Sequence, residues 1–362
     1  MRRIIILGGG IAGLSAAWQL ARSNSGEIVL IERESLLCTH ASGRNAAIFR
    51  PLEAEASLAM LARRSLALFG ELSPERPLVE PRGLLLLARA PETLAPIAQT
   101  AGAQGTPHEI ETPERVTMRL SGLNVSGWHG LYAASGGVID IHALSEILGR
   151  ASRALGVGIR CGGRARGVKT NDARVVGIEM ADGELVAADD VVVAAGAWSG
   201  EVGESAGFAL PLTPVRRHLA LLECQRALPA SAPAVWSLDD EVYFRREGQR
   251  VLTSPCDETL WRAGAPQAEV QCLEPLARKL GGIDAALGRA EVVRYWACLR
   301  TYAPDRRPVI GSDPRVEGLH WLAGLGGFGM TSGVAAGELL AQSLSGRPPP
   351  SELAVQRLLT RP

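Results

Sequence analysis

Residues 4–13, IIILGGGIAG, decide the fold of this chain. Ile4 to Leu7 is a short, β-rich apolar run, as expected of a parallel strand that is buried on both faces. Gly8 permits the tight turn that follows, Gly10 lets the backbone come within contact distance of a pyrophosphate, and Gly13 lets the next helix pack closely on the sheet. The stretch therefore predicts the strand, turn and first helix of a dinucleotide-binding unit.

The next twenty residues complete this unit. A helix is predicted from Leu14 to about Arg22, and its N-terminus offers unpaired N–H groups and the positive end of a helix dipole to an anion. Residues 27–32, EIVLIE, predict a second strand. Glu32 at its end can accept hydrogen bonds from a ribose and would repel a 2′-phosphate. Strand, turn, helix and acid together predict a bound adenine dinucleotide, without saying which one.

Composition and charge limit the class of protein. The chain has 362 residues, enough for two domains with a substantial core, and 46% of them are hydrophobic. Lysine plus arginine and aspartate plus glutamate number 38 each, so the overall charge does not indicate a nucleic acid or an acidic membrane as partner. The six cysteines form no CxxC pair, which favours reduced thiols in a cytoplasm over disulfides or a metal site. The apolar run after Met1-Arg2-Arg3 is too short for a signal peptide, so no targeting segment and no membrane-spanning helix are predicted.

A second domain is predicted to begin near residue 77. Helical spacing of apolar residues over 53–69 is interrupted by the proline-rich stretch 74–81, and Gly83 to Ala88 then predicts a buried strand. Further on, an amphipathic helix is predicted from Ile141 to Leu155, with Asp140 as its N-cap.

Two later segments are predicted to return to the cofactor. Period-2 alternation over residues 162–187 predicts a β-meander, and residues 189–199, DDVVVAAGAWS, predict a buried strand that ends in a glycine turn. If that strand joins the first sheet, Ala195 and Gly196 lie beside the first phosphate turn. The polar stretch at 38–47 leaves the end of the second strand, so we expect it to pass the pyrophosphate.

Four segments together resemble the D-amino-acid oxidase family of FAD-dependent oxidoreductases. They are GGGIAG with Glu32, SGRNAA at 42–47, VVVAAGAWS at 191–199 and GLHWLAGLGGFGMTSG at 318–333. Within the family, WACLRTYAPD and EVYFRREG are most similar to the bacterial D-amino-acid and D-arginine dehydrogenases, with glycine oxidase and sarcosine oxidase next. The resemblance implies an α/β fold in which a Rossmann-like FAD-binding domain is discontinuous in sequence and accompanies an antiparallel-sheet substrate domain. The expected bounds are 1–76, 134–210 and 305–362 for the first domain, and 77–133 and 211–304 for the second.

The resemblance implies FAD as the cofactor, and the C-terminal residues give a physical reason to agree. Residues 319–323 predict a strand, residues 324–329 allow close backbone approach, and Met330 opens a helix to about Leu344. A second helix N-terminus in the site can stabilise negative charge on a reduced flavin, a charge that a nicotinamide never carries. The expected cofactor contacts are Gly8, Gly10, Ile11, Ala12, Gly13, Glu32, Arg33, Ser42, Gly43, Arg44, Asn45, Ala46, Val168, Ala195, Gly196, Trp198, Arg300, Gly326, Gly327, Phe328, Gly329, Met330 and Thr331.

Substrate contacts are expected on three strands between residues 210 and 305, whose alternation predicts one sheet with a face toward the flavin. The resemblance implies that Arg300 and Arg217 hold the substrate carboxylate and that Tyr243 hydrogen-bonds it. A planar guanidinium meets a carboxylate bidentately, which supports this role for Arg300. For Arg217 the neighbouring Arg216 stays an alternative, because a register shift of one residue would exchange them.

The implied reaction is oxidative deamination of a D-amino acid to a 2-oxo acid and ammonia, by hydride transfer from Cα to flavin N5, with O₂ or a quinone as electron acceptor. The strand from Gly83 to Ala88 carries no acid, which favours an apolar substrate side chain over a basic one. The alternative is a glycine- or sarcosine-type secondary amine oxidase. Cys298 belongs to that alternative, because sarcosine oxidases carry their flavin-linking cysteine nearby, although a buried structural cysteine is the commoner outcome.

Overall fold

Strands and helices follow one another through residues 2–224 and 228–359, the parts of the chain that the computed structural model describes. The strands are β1 (Arg3–Leu7), β2 (Glu27–Glu32), β3 (Ile48–Phe49), β4 (Val79–Glu80), β5 (Leu84–Ala88), β6 (Glu109–Glu111), β7 (His129–Ala133), β8 (Gly137–Ile139), β9 (Gly158–Cys161), β10 (Ala165–Asn171), β11 (Arg174–Met180), β12 (Leu185–Ala187), β13 (Asp190–Val193), β14 (Thr213–Glu223), β15 (Ala234–Ser237), β16 (Val242–Glu247), β17 (Arg250–Ser254), β18 (Thr259–Leu260), β19 (Glu291–Tyr302), β20 (Val309–Ser312) and β21 (Leu319–Ala323). The α-helices are α1 (Ile11–Arg22), α2 (Ala56–Leu72), α3 (Ala95–Ala103), α4 (Pro113–Arg119), α5 (Ile141–Ala154), α6 (Ser199–Ser205), α7 (Leu273–Ile283), α8 (Ala285–Gly288) and α9 (Gly329–Leu344).

A six-stranded sheet forms the centre of the first domain, in the order β20-β21-β13-β1-β2-β9. The strands from β21 to β9 are parallel, and β20 pairs antiparallel with β21 at one edge. Because carboxyl ends of parallel strands meet at one edge of a sheet, the residues that follow β1, β2, β13 and β21 come together there. These strands come from distant parts of the sequence, as expected of a discontinuous dinucleotide-binding domain.

Close helix packing on this sheet depends on two glycines. A Cβ at Gly13 would overlap the carbonyl oxygen of Gly8, so a larger residue there would push α1 off the sheet. A Cβ at Gly337 would lie 2.7 Å from the backbone of Ser15, where α9 crosses α1. The aliphatic side chains between the helices and the sheet, Leu14 and Val334 among them, are fully buried, and each such side chain contributes about 1.5–3 kcal/mol to folding.

The second domain is built on a nine-stranded sheet, which confirms the expected antiparallel substrate domain. Its order is β18-β14-β17-β16-β15-β5-β7-β6, with β19 paired along β14. Every pairing is antiparallel except that of β15 with β5. The three strands predicted to face the flavin, now β14, β16 and β19, lie in this one sheet.

Two small sheets complete the fold. One is the predicted meander, β10-β11-β12, and the other has the order β3-β8-β4. The predicted N-cap is confirmed, since the Asp140 carboxylate accepts the N–H of Ala143 at 2.9 Å. The helix predicted over 53–69 begins later, at Ala56, because Glu55 is still extended. The expected domain bounds stay a prediction. Among the described residues, no helix combines the length and apolarity needed to span a bilayer.

Candidate active site

A cavity of about 560 Å³ runs from the carboxyl edge of the first sheet to the face of the second. Gly8, Gly10 and Glu32 line it at one end, and Tyr243 and Arg300 line it at the other. Most of the predicted cofactor and substrate residues therefore line one continuous space. The cavity also includes Ile11, Ala12, Arg33, Ser42, Arg44, Asn45, Ala46, Ala195, Gly196, Trp198, Gly326, Gly327, Gly329, Met330 and Thr331, as expected of a site formed at this edge.

The first glycine turn packs against the end of β13 and against Glu32. Gly8 has a φ of +111°, and a Cβ there would overlap the carbonyl oxygen of Ala194 at the end of β13. The neighbouring Gly9 N–H donates to Glu32 Oε2 at 2.6 Å, while Glu32 Oε1 accepts the N–H of Glu34 at 2.8 Å. The carboxylate predicted to bind a ribose thus also braces the turn that precedes α1.

Residues 41–47 form the wall between the two domains. Asn45 holds the segment's own shape, because its Nδ2 donates to the carbonyl of Ser42 and its Oδ1 accepts the N–H of Ala47 at 2.7 Å. The second domain then fixes the segment through two side chains. Arg245 Nε donates to the carbonyl of Ala46 at 2.6 Å, and Trp296 Nε1 donates to the carbonyl of Arg44 at 3.0 Å.

A second glycine turn approaches the cavity before α9. Gly326 has a φ of +54°, and a Cβ there would overlap the Tyr302 ring. A Cβ at Gly327 would overlap the Arg300 guanidinium. Helix α9 begins at Gly329, where a Cβ would lie 3.6 Å from Ile11 at the start of α1. The N-termini of α1 and α9 therefore lie side by side at the cavity.

Arg300 and Tyr243 form the polar end of the cavity. Both residues are buried, and Arg300 Nη2 donates to the Tyr243 hydroxyl oxygen at 3.1 Å. Burial raises the pKa of the Tyr243 phenol, outweighing the lowering effect of Arg300. Tyr243 is therefore a neutral phenol that keeps its own proton.

Cys298 lies two residues before Arg300 on the same face of β19. It lines the cavity and is 3% exposed. Burial raises the pKa of its thiol, although Arg300 and Arg217 oppose the shift. A neutral thiol is a poor nucleophile, so the environment of Cys298 does not favour covalent chemistry.

The two arginines of β14 have different partners. Arg217 pairs across the strands with Cys298, which places it on the same face as Arg300, and its Nη2 donates to Glu258 Oε1 at 2.6 Å. Arg216 points to the opposite face and forms a bidentate pair with Glu269 at 2.6 and 2.7 Å. Arg217, and not Arg216, therefore has the predicted orientation. It does not line the cavity, so its contact with a substrate carboxylate stays a prediction.

Five predicted site residues lie outside the lining of this cavity: Gly13, Gly43, Val168, Arg217 and Phe328. Gly13 serves helix packing, as described above. Val168, on β10 of the meander, is 2% exposed and belongs to the hydrophobic core. Residues 163–166, at the start of that meander, reach the cavity instead of Val168. A Cβ at Gly43 would overlap the carbonyl oxygen of Cys38, so this glycine serves loop closure. Phe328 is 6% exposed and packs below the Arg50 guanidinium.

Sequence reasoning missed Arg50 and Trp236. Both line the cavity, and the Arg50 Cζ lies 4.1 Å from the centroid of the Trp236 ring. A single arginine after an apolar pair and a single tryptophan in a short strand carry no motif, so no local pattern indicates either residue. Strand β5, whose lack of an acid favoured an apolar substrate, is buried and does not line the cavity. That argument about the substrate side chain therefore loses its basis.

The fold and the cavity together define a two-domain protein with a dinucleotide-binding first domain. A buried arginine of the second domain, Arg300, lines the cavity that the two domains share. A family model described as FAD dependent oxidoreductase, DAO, matches residues 3–343, and the chain belongs to this family. The resemblance of the four segments is thereby confirmed. This is a family of FAD-dependent oxidoreductases.

Several curated and solved proteins are similar to it. It is 29% identical over 367 residues to a glycine oxidase from Pseudomonas putida, covering 96% of each chain. It is 30% identical over 210 residues to a D-amino acid dehydrogenase from Methylobacterium radiotolerans, covering 58% of this chain and 49% of that one. The chain thus spans about half the length of that dehydrogenase. The crystal structure of L-proline dehydrogenase from P. horikoshii has a TM-score of 0.87 at 19% identity, covering 96% of this chain and 94% of the other.

The residues present fit FAD. The turn at Gly8 leaves backbone N–H groups at the start of α1, where a diphosphate is favoured. The second turn, at Gly326 and Gly327, lines the same cavity beside Arg300. A cofactor that extends from the first turn to the second would place its redox-active ring beside Arg300 and Tyr243.

Proposed function

We propose that this protein catalyses the oxidative deamination of a D-amino acid to a 2-oxo acid and ammonia. Bound FAD supplies the hydride acceptor, which is chemistry that no protein side chain provides. The observation that carries the proposal is the buried Arg300 beside the second glycine turn. A buried guanidinium is always charged and binds a carboxylate bidentately, so in a cavity with a redox cofactor its best ligand is the carboxylate of an amino acid.

Arg300 orients the substrate in this proposal. Its guanidinium is held from one side by Tyr243 and limited from another by the backbone of Gly327. A carboxylate bound bidentately there has one orientation, and holding reactants in one orientation is a large part of catalysis. Tyr243 accepts a hydrogen bond from Arg300 and keeps its own proton, so it donates to the same carboxylate.

The substrate amine loses its proton before or during binding. The acids and the histidine that line the cavity, Glu32, His40 and Glu201, lie toward its other end, near Trp198. Among the described residues, none of these three groups adjoins Arg300. The substrate therefore binds as the free amine, without a dedicated base in the protein. The rate of flavin reduction should then increase with pH until the substrate amine is fully deprotonated.

A glycine- or sarcosine-type amine oxidase is the second candidate. It is supported by the glycine oxidase relative, which matches over nearly the full length of both chains. In both candidates Arg300 binds the carboxylate, and the candidates differ in the substituents on Cα and on nitrogen.

Anaerobic bleaching of the flavin tests the proposal. The panel contains D- and L-amino acids, glycine, sarcosine and D-proline, each mixed with the holoprotein under nitrogen. We expect bleaching by D-amino acids. Bleaching by glycine and sarcosine alone would move the function to the second candidate, and no bleaching by any amine would refute both. Readmission of O₂ or addition of a quinone then identifies the electron acceptor, which we propose to be one of these two.

A further inference from the structure

A row of four side chains lines the substrate end of the cavity, with a guanidinium at each end. Arg300 contacts the Tyr243 hydroxyl at 3.1 Å, and the Tyr243 and Trp236 rings lie 5.0 Å apart between centroids. Tyr243 and Trp236 face each other across β16 and β15. The Arg50 Cζ lies 4.1 Å from the Trp236 centroid. Two aromatic rings therefore separate two cations that face one cavity.

Only one of these cations is used by the proposed reaction. The α-carboxylate of an amino acid engages Arg300 and leaves Arg50 facing the cavity. The carboxylates that line the cavity, Glu32 and Glu201, belong to its other end. A cation with an edge exposed to a partly apolar cavity is stabilised further when an anion binds on that side.

Among the described residues Arg50 has one anionic partner, and that partner lies outside the cavity. Glu53 pairs with it from behind, and no other ion-pair partner of Arg50 exists within residues 2–224 and 228–359. Glu53 does not line the cavity. Burial raises the pKa of the Glu53 carboxyl, although Arg50 acts in the opposite direction. One Nη of Arg50 faces Glu53, and the other two nitrogens carry three N–H donors with which to bind another anion.

We propose that Arg50 binds a second anionic group of the substrate, so that amino acids with a second carboxylate are the preferred substrates. This inference rests on the proposed function. The α-carboxylate binds at Arg300, the carbon chain crosses the faces of Tyr243 and Trp236, and the second carboxylate reaches the free edge of the Arg50 guanidinium. Stacking on Trp236 fixes the plane of that guanidinium, which favours a planar anion over a neutral amide.

Matched substrate pairs test this specificity. D-glutamate is compared with D-glutamine, D-aspartate with D-asparagine, and iminodiacetate with sarcosine, by anaerobic flavin reduction. We expect the diacid of at least one pair to have an apparent Kd about 10- to 100-fold lower, the value of one or two hydrogen bonds to a charged group. In Arg50→Gln that preference should disappear, so that each diacid and its amide partner are bound with similar affinity. Arg63→Gln, which removes an exposed arginine of α2, is the control and should keep the preference.

Two further variants guard against misfolding. Arg50→Gln strands the Glu53 carboxylate, so Arg50→Gln/Glu53→Gln removes both charges together and should show the same loss of preference. Arg50→Lys keeps the positive charge but not the planar guanidinium, and it should retain part of the preference for diacids. Bound FAD and its visible spectrum report the fold of each variant.

Ligand binding separates this inference from the proposed function. Calorimetry compares glutarate with pentanoate, which differ only in the second carboxylate and cannot be oxidised as amines. Tighter binding of glutarate, lost in Arg50→Gln, supports the second anion site even if no amine bleaches the flavin. Equal affinity for both acids would overturn the inference even if amino acids do bleach it. An equal slowing of all substrates in Arg50→Gln would also overturn it, because Arg50 would then act on the flavin instead of the substrate.

Discussion

Gly327 leaves the space that the Arg300 guanidinium fills. A Cβ at this position would overlap the guanidinium rather than backbone. In Gly327→Ala the flexible side chain of Arg300 should therefore move while the fold is kept. Since a displaced fork loses part of its charge-assisted hydrogen bonding, we expect the Kd for the amino acid to rise about 10- to 100-fold. The dependence of anaerobic flavin reduction on substrate concentration measures this Kd.

Gly70→Ala is the control for this substitution, because a Cβ at Gly70 on α2 meets nothing within 4 Å. Its Kd should equal that of the natural protein. Loss of FAD from Gly327→Ala, or an unchanged Kd, would show that the side chain of Arg300 is not constrained in this way.

Individual site residues differ in how far sequence predicts them. Gly8 and Glu32 belong to one local unit whose spacing has a physical reason at every position, so their placement follows from the pattern. Arg217 on β14 has the orientation that the sequence predicts. Its partner Glu258, however, lies 41 positions away on a loop. Arg50 stacks on Trp236, a residue of β15 that lies far from it in the sequence. Side-chain partners of this kind are set by tertiary packing and leave no local signal.

At the scale of elements, β14 anchors the segment 257–269 through three consecutive residues. Arg216 binds Glu269, Arg217 binds Glu258, and His218 binds both ends of the segment. His218 Nδ1 lies 2.7 Å from Asp257 Oδ2, and its Nε2 accepts the N–H of Glu269 at 3.0 Å. Residues 264 and 266 of this segment line the cavity, so the strand positions part of the cavity wall.

Replacing His218 should loosen this segment. His218→Ala leaves the Glu269 N–H without its acceptor and Asp257 without its ring partner, at a cost of about 0.5–1.5 kcal/mol for each lost hydrogen bond. We expect faster amide hydrogen exchange across 257–269 and little change in β1 or α1. His142→Ala, at an exposed position on α5, is the control. Uniformly faster exchange throughout the protein would instead mean that His218 supports global stability.

Whole elements were predicted best where the pattern is local. The strand, helix and strand over residues 3–32 lie within a few residues of their predicted bounds. The order of the nine-stranded sheet could not be predicted, because β15 pairs parallel with β5 across about 150 positions of sequence. Nothing in either strand specifies the other, since both are short apolar runs that could pair with several neighbours.

At the scale of the whole molecule, a charged cluster joins strands at the amino edge of the first sheet. Asp190 on β13 accepts hydrogen bonds from Arg2 Nη2 at 2.7 Å and from His320 Nε2 on β21 at 2.8 Å. Burial raises the pKa of Asp190, but the bonds from Arg2 and His320 outweigh it and lower the pKa from 3.8 to about 2. The side chain is 5% exposed, so solvent screens this cluster little.

This shift predicts how stability depends on pH. A carboxyl whose pKa is lowered in the folded state stabilises the protein above its unfolded pKa, and that stabilisation is lost as the pH falls toward 2. Its size is about 2 kcal/mol at neutral pH. Asp190→Asn should therefore lower the free energy of unfolding at pH 7, and its difference from the natural protein should shrink between pH 4 and pH 2. Denaturant unfolding at several pH values measures this difference.

Asp182→Asn, in an exposed turn of the meander, is the matched control and should show a far smaller difference at every pH. A difference for Asp190→Asn that stays constant from pH 7 to pH 2 would mean that the charge of Asp190 contributes nothing to folding.

The wall at residues 41–47 has a consequence for the divergence of related sequences. Arg245 and Trp296 bind this wall by the carbonyl groups of Ala46 and Arg44, not by their side chains. Every amino acid carries the same carbonyl, so substitutions at the half-buried position 44, and small side chains at the buried position 46, leave both anchors in place. Evolution can therefore change which chemical groups this wall presents to a bound molecule without moving the wall or separating the two domains that share it.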